Sequence, residues 1–294
     1  MLTPDLITPI STIPYRQVTV GERQYPLATS GIGKIPLVAV GIGSHIQMTF
    51  SPQLRRRFTI HSSDLYWISS HRIQAPHLTL EQIVADACTT VEMSGAEKPI
   101  VAGFSCFGLL ALEVAKRMGG NIRGVMMIST PPGWNDAIIA FAQNHFASHA
   151  SVERQENDRN RRAHFAKIRR PGESLVSINA YEADAARYWK DYSVDREFLE
   201  ALWAGITVDD DIINHFFGSI LPTYNVATNL NSIIVPTALF AGQYDYDSTP
   251  LLLWQKSPQP CQFTMVDCGE SGHWPNLENR DVFDPAVEHW AQSL

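Results

Sequence analysis

The chain has 294 residues, 45% of them hydrophobic, and a formal net charge of −7. That length and apolar content suit one large domain, or a domain carrying a substantial insertion, and exclude a small scaffold stapled by disulfides. The acidic balance supplies no overall basic field, so neither nucleic acid nor an anionic membrane surface is expected as a partner.

The opening stretch MLTPDLITPISTIP has no basic n-region and no continuous apolar core, and no later run reaches the roughly 18 apolar residues that span a bilayer. YRQVTV and RQYPLAT surround the turn signal Gly21 and predict a hairpin. KIPLVAVGIG supplies a short apolar strand ending in glycines, and RRRFTIHSSDLYW a further strand. In LTLEQIVADACTTVEMSG, Leu80, Ile83, Val84, Ala87 and Val91 recur at helical spacing before Gly95. The unit then repeats: a strand over Pro99 to Ala102, a helix over Phe107 to Met118 with glycine stops at Gly119 and Gly120, and the strand IRGVMMIS.

After TPPGW the composition changes. From about Asn135 to about Leu230 the chain is aromatic and charged, with helical pattern and no convincing buried strand. IIVPTALFAG resumes strand character, TPLLLWQK suggests a short helix, CQFTMVDCG another strand and DVFDPAVEHWAQSL a closing helix. Apolar strands separated by helices predict an α/β fold with a mostly parallel sheet covered on both faces. The expected organisation is a core over 1–134, an inserted helical cap over 135–230, and the rest of the core over 231–294.

Cys88, Cys106, Cys261 and Cys268 lack the close pairs of thiolate metal sites and are too sparse for a disulfide framework. A soluble protein of a reducing, cytoplasmic compartment is expected. In NHFASHA, His145 and His149 could share a helix face, but Phe146 occupies the glutamate position of the zinc-protease motif and no third ligand is evident. GIGSHI matches a dinucleotide loop only in part, because its third glycine is missing. No metal or cofactor is expected.

Ser105, in GFSCFG, lies between an apolar strand and a helix. Such a turn lifts its central residue above the sheet and faces it with the first, unpaired N–H groups of the helix, donors suited to an oxyanion. Simple capping of the helix that starts near Cys106 is the alternative role. A neutral hydroxyl needs a base to take its proton and a carboxylate to orient that base. Asp245, in AGQYDYDSTP, follows one strand; His273, in SGHWPNLENRDVF, follows the next.

On these stretches the chain resembles the α/β-hydrolase superfamily, especially members with a helical cap that include proline iminopeptidase-like enzymes. GFSCFGLLALEVAKR with IRGVMMIST resembles the family's nucleophile elbow, AGQYDYDSTP its acid turn and SGHWPNLENRDVF its histidine loop, in the family's chain order. The resemblance implies Ser105 as nucleophile, Asp245 as orienting acid and His273 as general base. Asp247, on the same loop, competes for the acid role, which family spacing from Gly242 assigns to Asp245; Asp267 belongs to the end of the preceding strand. LVAVGIGSHI resembles the family's loop after an early strand, which implies Ile42 as one oxyanion-hole donor and Cys106 as the other. A catalytic thiol at Cys106 is the competing role for that residue.

Two departures stand out. Phe107 occupies the position where the usual elbow has glycine, with Gly108 one step later, so a bulky ring must find room there. The iminopeptidases' His-Gly-Gly-Pro-Gly and Asp-Gln-Arg-Gly stretches are replaced by VGIGS and SSDLYW. In the cap, VERQENDRNRRAHFAKIRRPG reads as a solvated mixed-charge face, and Tyr188, Trp189, Tyr192, Phe198, Leu202 and Trp203 read as packing. Glu182 and Glu200 could pair with a peptide amino terminus but are expected to be solvated.

The expected function is a serine hydrolase acting on a small ester or amide, with a small molecule or short peptide as substrate. The alternatives are a proline iminopeptidase-like aminopeptidase and a non-catalytic ligand-binding protein of the same fold. Oligomeric state is not specified by these features.

Overall fold

A computed structural model describes residues 2–68, 75–228 and 230–294. The turn at Gly21, with φ +61°, joins strands β1 (Tyr15–Val20) and β2 (Arg23–Ser30) in an antiparallel hairpin. The runs that follow form β3 (Ile35–Ala39), β4 (Phe58–Ser62), β5 (Ile100–Phe104), β6 (Gly124–Ile128), β7 (Thr237–Ala241) and β8 (Phe263–Asp267). They make one eight-stranded sheet in the order β1-β2-β4-β3-β5-β6-β7-β8, antiparallel at β1–β2 and β2–β4 and parallel from β4 onward. Every residue of β5, β6 and β7 is buried, as a central strand covered on both faces requires.

Helices cover the sheet. α1 (Ser44–Thr49) and α2 (Pro52–Arg57) precede β4; α3 (Leu80–Ser94) runs from a Thr79 cap to Gly95 in the left-handed conformation; α4 (Phe107–Met118) follows β5. RRR, expected in a strand, instead ends α2, and β5 continues two residues past Ala102 to bring Phe104 to the sheet edge beside Ser105. The two short helices of 44–57 carry too few turns for a readable period, and α1 is buried on all sides.

Between β6 and β7 lie α5 (Asp136–His149), α6 (Val152–Ile168), α7 (Ile178–Ala183), α8 (Ala185–Tyr188), α9 (Arg196–Leu202) and α10 (Asp210–His215). Among the described residues of this segment the only extended pairing is the single bridge from Val208 to Ile68. α11 (Pro250–Gln255), α12 (Pro275–Glu278) and α13 (Arg280–Gln292) complete the core. No helix among the described residues is long and apolar enough to cross a membrane.

α6 is not wholly a solvated face. Arg154 is buried and donates to the carbonyls of Ala186, Trp189 and Lys190, while its guanidinium lies 4.4 Å from the Tyr192 ring centroid. Asp158, also buried, accepts two bonds from Arg187 and pairs with Arg162, which in turn pairs with Asp184. A buried ion is tolerated only when its lone pairs and protons are occupied in this way. Glu182 and Glu200 both pair with Arg196.

Candidate active site

The turn from β5 to α4 holds Ser105 at φ +54°, a conformation a side chain adopts only under strain. Tight crossings make this possible. A Cβ on Gly103 would lie 2.2 Å from the Phe107 carbonyl oxygen, and one on Gly108 would lie 1.9 Å from Thr130 Oγ1. Phe107 finds its room on the opposite loop: Gly41, at φ +79°, has the Phe107 ring in the position where its own Cβ would stand, at 2.2 Å. The ring also stacks on Phe216, with centroids 5.5 Å apart, and meets Trp67 edge-on at 4.9 Å. The glycine that the elbow lacks at 107 is supplied at 41.

His273 and Asp245 meet at the same sheet edge. Nδ1 of His273 lies 2.7 Å from Asp245 Oδ2, and both side chains are buried. Asp245 Oδ1 accepts the N–H of Ser248, and the Ser248 hydroxyl reaches Oδ2 at 3.2 Å, which fixes the carboxylate's direction. Of the two aspartates weighed for this position, Asp245 makes the bond; Asp247, half-buried, has no hydrogen bond or ion pair with His273. Asp267 sits at the end of β8, where it accepts from Gln243 and the Gly269 N–H.

Phe104, the residue before Ser105, packs on the His273 ring with centroids 5.0 Å apart. No hydrogen bond joins the Ser105 hydroxyl to the imidazole among the described residues. The N–H groups of Ile42 and Cys106 likewise meet no acceptor among the described residues. The Ile42 loop is pinned from behind: buried Asp64 accepts the Ser44 N–H at 2.8 Å and the Ser44 hydroxyl. Sequence reading missed Asp64, because only the return of β4 beside β3 brings it to this loop.

The electrostatics follow from burial and neighbouring carboxylates. Burial opposes the charged form of His273, but the charge and hydrogen bond of Asp245, with Asp247 and Glu278 adding, outweigh it and raise its pKa. Burial, helped by the charge of Asp245, pushes Asp247 up to about 7 against the pull of His273 and Arg187. Burial also drives the Cys106 thiol well above its ordinary value, so it is a neutral thiol and a poor nucleophile.

The helical segment touches this site directly. Tyr188 O accepts the His273 N–H at 2.6 Å, and the Tyr188 and His273 rings lie 5.0 Å apart. Glu278, with burial raising its pKa to about 7, accepts the N–H groups of Gly272 and Lys190, each at 2.7 Å. Of the residues of this segment expected to pack, Trp189, Phe198 and Leu202 are fully buried, while Tyr188 reaches the imidazole and Trp203 reaches His45, at 4.9 Å between rings. The His145 and His149 rings lie 4.2 Å apart, tilted by 33°, on α5, and no group of three or more His, Cys, Asp or Glu among the described residues has the arrangement to hold a metal ion.

No protein-family model matches the chain. It is similar to the AB hydrolase superfamily protein YclE of Bacillus subtilis (strain 168), 22% identical over 261 residues that cover 87% of this chain and 91% of that protein. Among solved structures it is similar to the proline iminopeptidase of Mycobacterium smegmatis, with TM-score 0.68, 14% identity and coverage of 95% of this chain and 98% of the other. It is also similar to a thermophilic esterase from Thermogutta terrifontis, with TM-score 0.64, 17% identity and coverage of 95% and 98%. With its mostly parallel eight-stranded sheet, its strained strand-to-helix turn and these likenesses, the chain is an α/β-hydrolase-fold protein.

Proposed function

We propose that the chain is a serine hydrolase that cleaves a small ester or amide through an acyl-enzyme, with Ser105, His273 and Asp245 as its triad and the helical segment 135–230 as its cap. The observation that carries this reading is the 2.7 Å bond from His273 Nδ1 to Asp245, with the imidazole packed on Phe104, the residue before a serine held at φ +54°. That bond fixes the imidazole tautomer so that Nε2 is free to take a proton.

In this mechanism the Ser105 hydroxyl meets Nε2 as substrate enters, since a catalytic hydrogen bond tightens in the complex. His273 takes the hydroxyl proton while Oγ attacks the substrate carbonyl, and the N–H groups of Ile42 and Cys106 hold the resulting oxyanion. Collapse breaks the bond to the leaving alcohol or amine, which receives the proton from His273. Water then attacks the acyl-enzyme with His273 again as base, and the acid departs with Ser105 restored. Every step draws on protein groups and water alone.

An aminopeptidase is the second reading, favoured by one observation: Asp247 presents a half-buried carboxylate beside the triad with no ion-pair partner within 4 Å among the described residues, suited to a substrate ammonium. Turnover of short-chain esters against amino-acyl and prolyl arylamides tests the two. Ester turnover supports the first reading; arylamide turnover without ester turnover supports the second; turnover of neither contradicts both.

A further inference from the structure

His45 has no part in the steps above. It lies on α1, three residues beyond Ile42, and is 3% exposed. Burial lowers its pKa to about 3, so it is a neutral imidazole. Its ring meets Trp203 of the helical segment edge-on at 4.9 Å and Trp274, the residue after His273, at 5.3 Å. Phe104, the residue before Ser105, packs on Trp274 at 3.9 Å and on His273 at 5.0 Å. Tyr188 and Tyr181 close the circuit: His273 to Tyr188 at 5.0 Å, Tyr188 to Tyr181 at 4.6 Å and Tyr181 to Trp203 at 5.2 Å.

Within this circuit His45 Nε2, Trp203 Nε1 and Trp274 Nε1 are all buried without a hydrogen-bond partner among the described residues. A buried polar atom left unpaired costs about 1–3 kcal/mol, and native structures pair the large majority of such atoms. Three such atoms lie on contiguous rings, next to the residues flanking Ser105 and His273, where an oxygen arriving with the substrate would satisfy them.

We propose that His45, Trp203 and Trp274 form a polar subsite for a neutral acceptor oxygen of the substrate, such as an ether, ketone or second carbonyl, beyond the scissile bond. The donor chemistry selects this class. Indole N–H groups donate only, and a neutral imidazole donates from Nε2 in one tautomer. The carboxylates of Asp247 and Asp245, whose charges act on Tyr181 beside Trp203, oppose an anionic group. The inference deepens the serine-hydrolase reading and rests on it. The competing arrangement directs each N–H at a neighbouring ring face, which needs no occupant.

Two isosteric ester pairs test it: a methoxyacetate against a butyrate of the same alcohol, and a 2-methoxyethyl against a butyl ester of the same acid. Each kcat/KM ratio is divided by the corresponding ratio for hydroxide hydrolysis, which removes intrinsic reactivity. The subsite is expected to favour the ether in one pair by about tenfold or more. Trp203→Phe and His45→Phe keep an aromatic ring, delete the polar atom and are expected to bring that ratio towards one. Ratios near one in the parent, or a preference that survives both substitutions, overturn the subsite. If both variants melt early, the parent ratio decides. Fluorophosphonate labelling separates the two claims: a labelled parent without ether preference, or without turnover of either pair, sinks only the subsite, whereas an unlabelled parent sinks the hydrolase reading beneath it.

Discussion

The carbonyl oxygen of Tyr188 accepts the main-chain N–H of His273 at 2.6 Å, so the segment between β6 and β7 grips the histidine loop by its backbone. Gly272 permits the approach: a Cβ there would stand 2.1 Å from the same carbonyl oxygen. One residue earlier, the carbonyl of Arg187 accepts the N–H of Tyr246 in the acid turn, at 2.9 Å. The helical segment therefore fixes both loops that carry the Asp245–His273 bond.

Glu278 strengthens that grip, because its two oxygens take N–H groups from Gly272 on one side and Lys190 on the other. Glu278→Gln keeps one acceptor but turns an NH2 toward a donor. It is expected to destabilise the fold by about 1–3 kcal/mol and to lower kcat more than it raises KM. Thermal melts with steady-state kinetics check both parts.

The two aspartates of the acid turn separate by kinetics. Asp245→Asn leaves the imidazole without its orienting charge and is expected to lower kcat by about 10³–10⁴. Asp247→Asn, which removes a carboxylate that does not bond to His273, is expected to cost less than about tenfold on an uncharged ester. Equal losses would show that the triad acid is not Asp245.

The pH dependence has a definite sign. His273 must be neutral to act as base, and its pKa is raised, so kcat/KM is expected to climb along a limb centred above 6.5, the ordinary histidine value. As a base with a raised pKa, it contributes stability that is full below 6.5 and is lost as pH rises through its folded value. Asp247, raised from 3.8 to about 7, costs stability as pH rises from 3.8 to about 7, because its folded form resists ionisation. The melting temperature should therefore fall between about pH 5.5 and pH 8, and Asp247→Asn should narrow the fall. A pH-rate profile and melts at the two values check these expectations.

Phe107→Gly restores the residue type usual at that position of the elbow. Because the Phe107 ring fills the space over Gly41 and stacks on Phe216, the change is expected to cost about 3–5 kcal/mol as a large-to-small core substitution, with no gain in activity. Urea unfolding of the variant measures it.

What the sequence made legible was the periodic part. Long apolar runs and the 3.6-residue pattern of Leu80 to Ser94 declare their own structure, as does Phe107–Met118 between a sharp turn and two glycines. The chain order of Ser105, Asp245 and His273 carried the candidate site. What stayed hidden depends on contacts between distant segments: α1, whose six residues are all buried; the Asp64 hold on Ser44; and the Tyr188 and Glu278 hold on the histidine loop. Arg154 and Asp158 were hidden for the same reason, since nothing in a run of charges tells which of them the tertiary fold buries.

The most direct measurement is intact-mass and peptide analysis after exposure to a fluorophosphonate probe. The parent protein is expected to gain one adduct, mapped to Ser105, and Ser105→Ala to gain none while keeping its fold. A folded parent that stays unmodified where a control serine hydrolase reacts, or one that carries its adduct on another residue, would contradict Ser105 as the nucleophile.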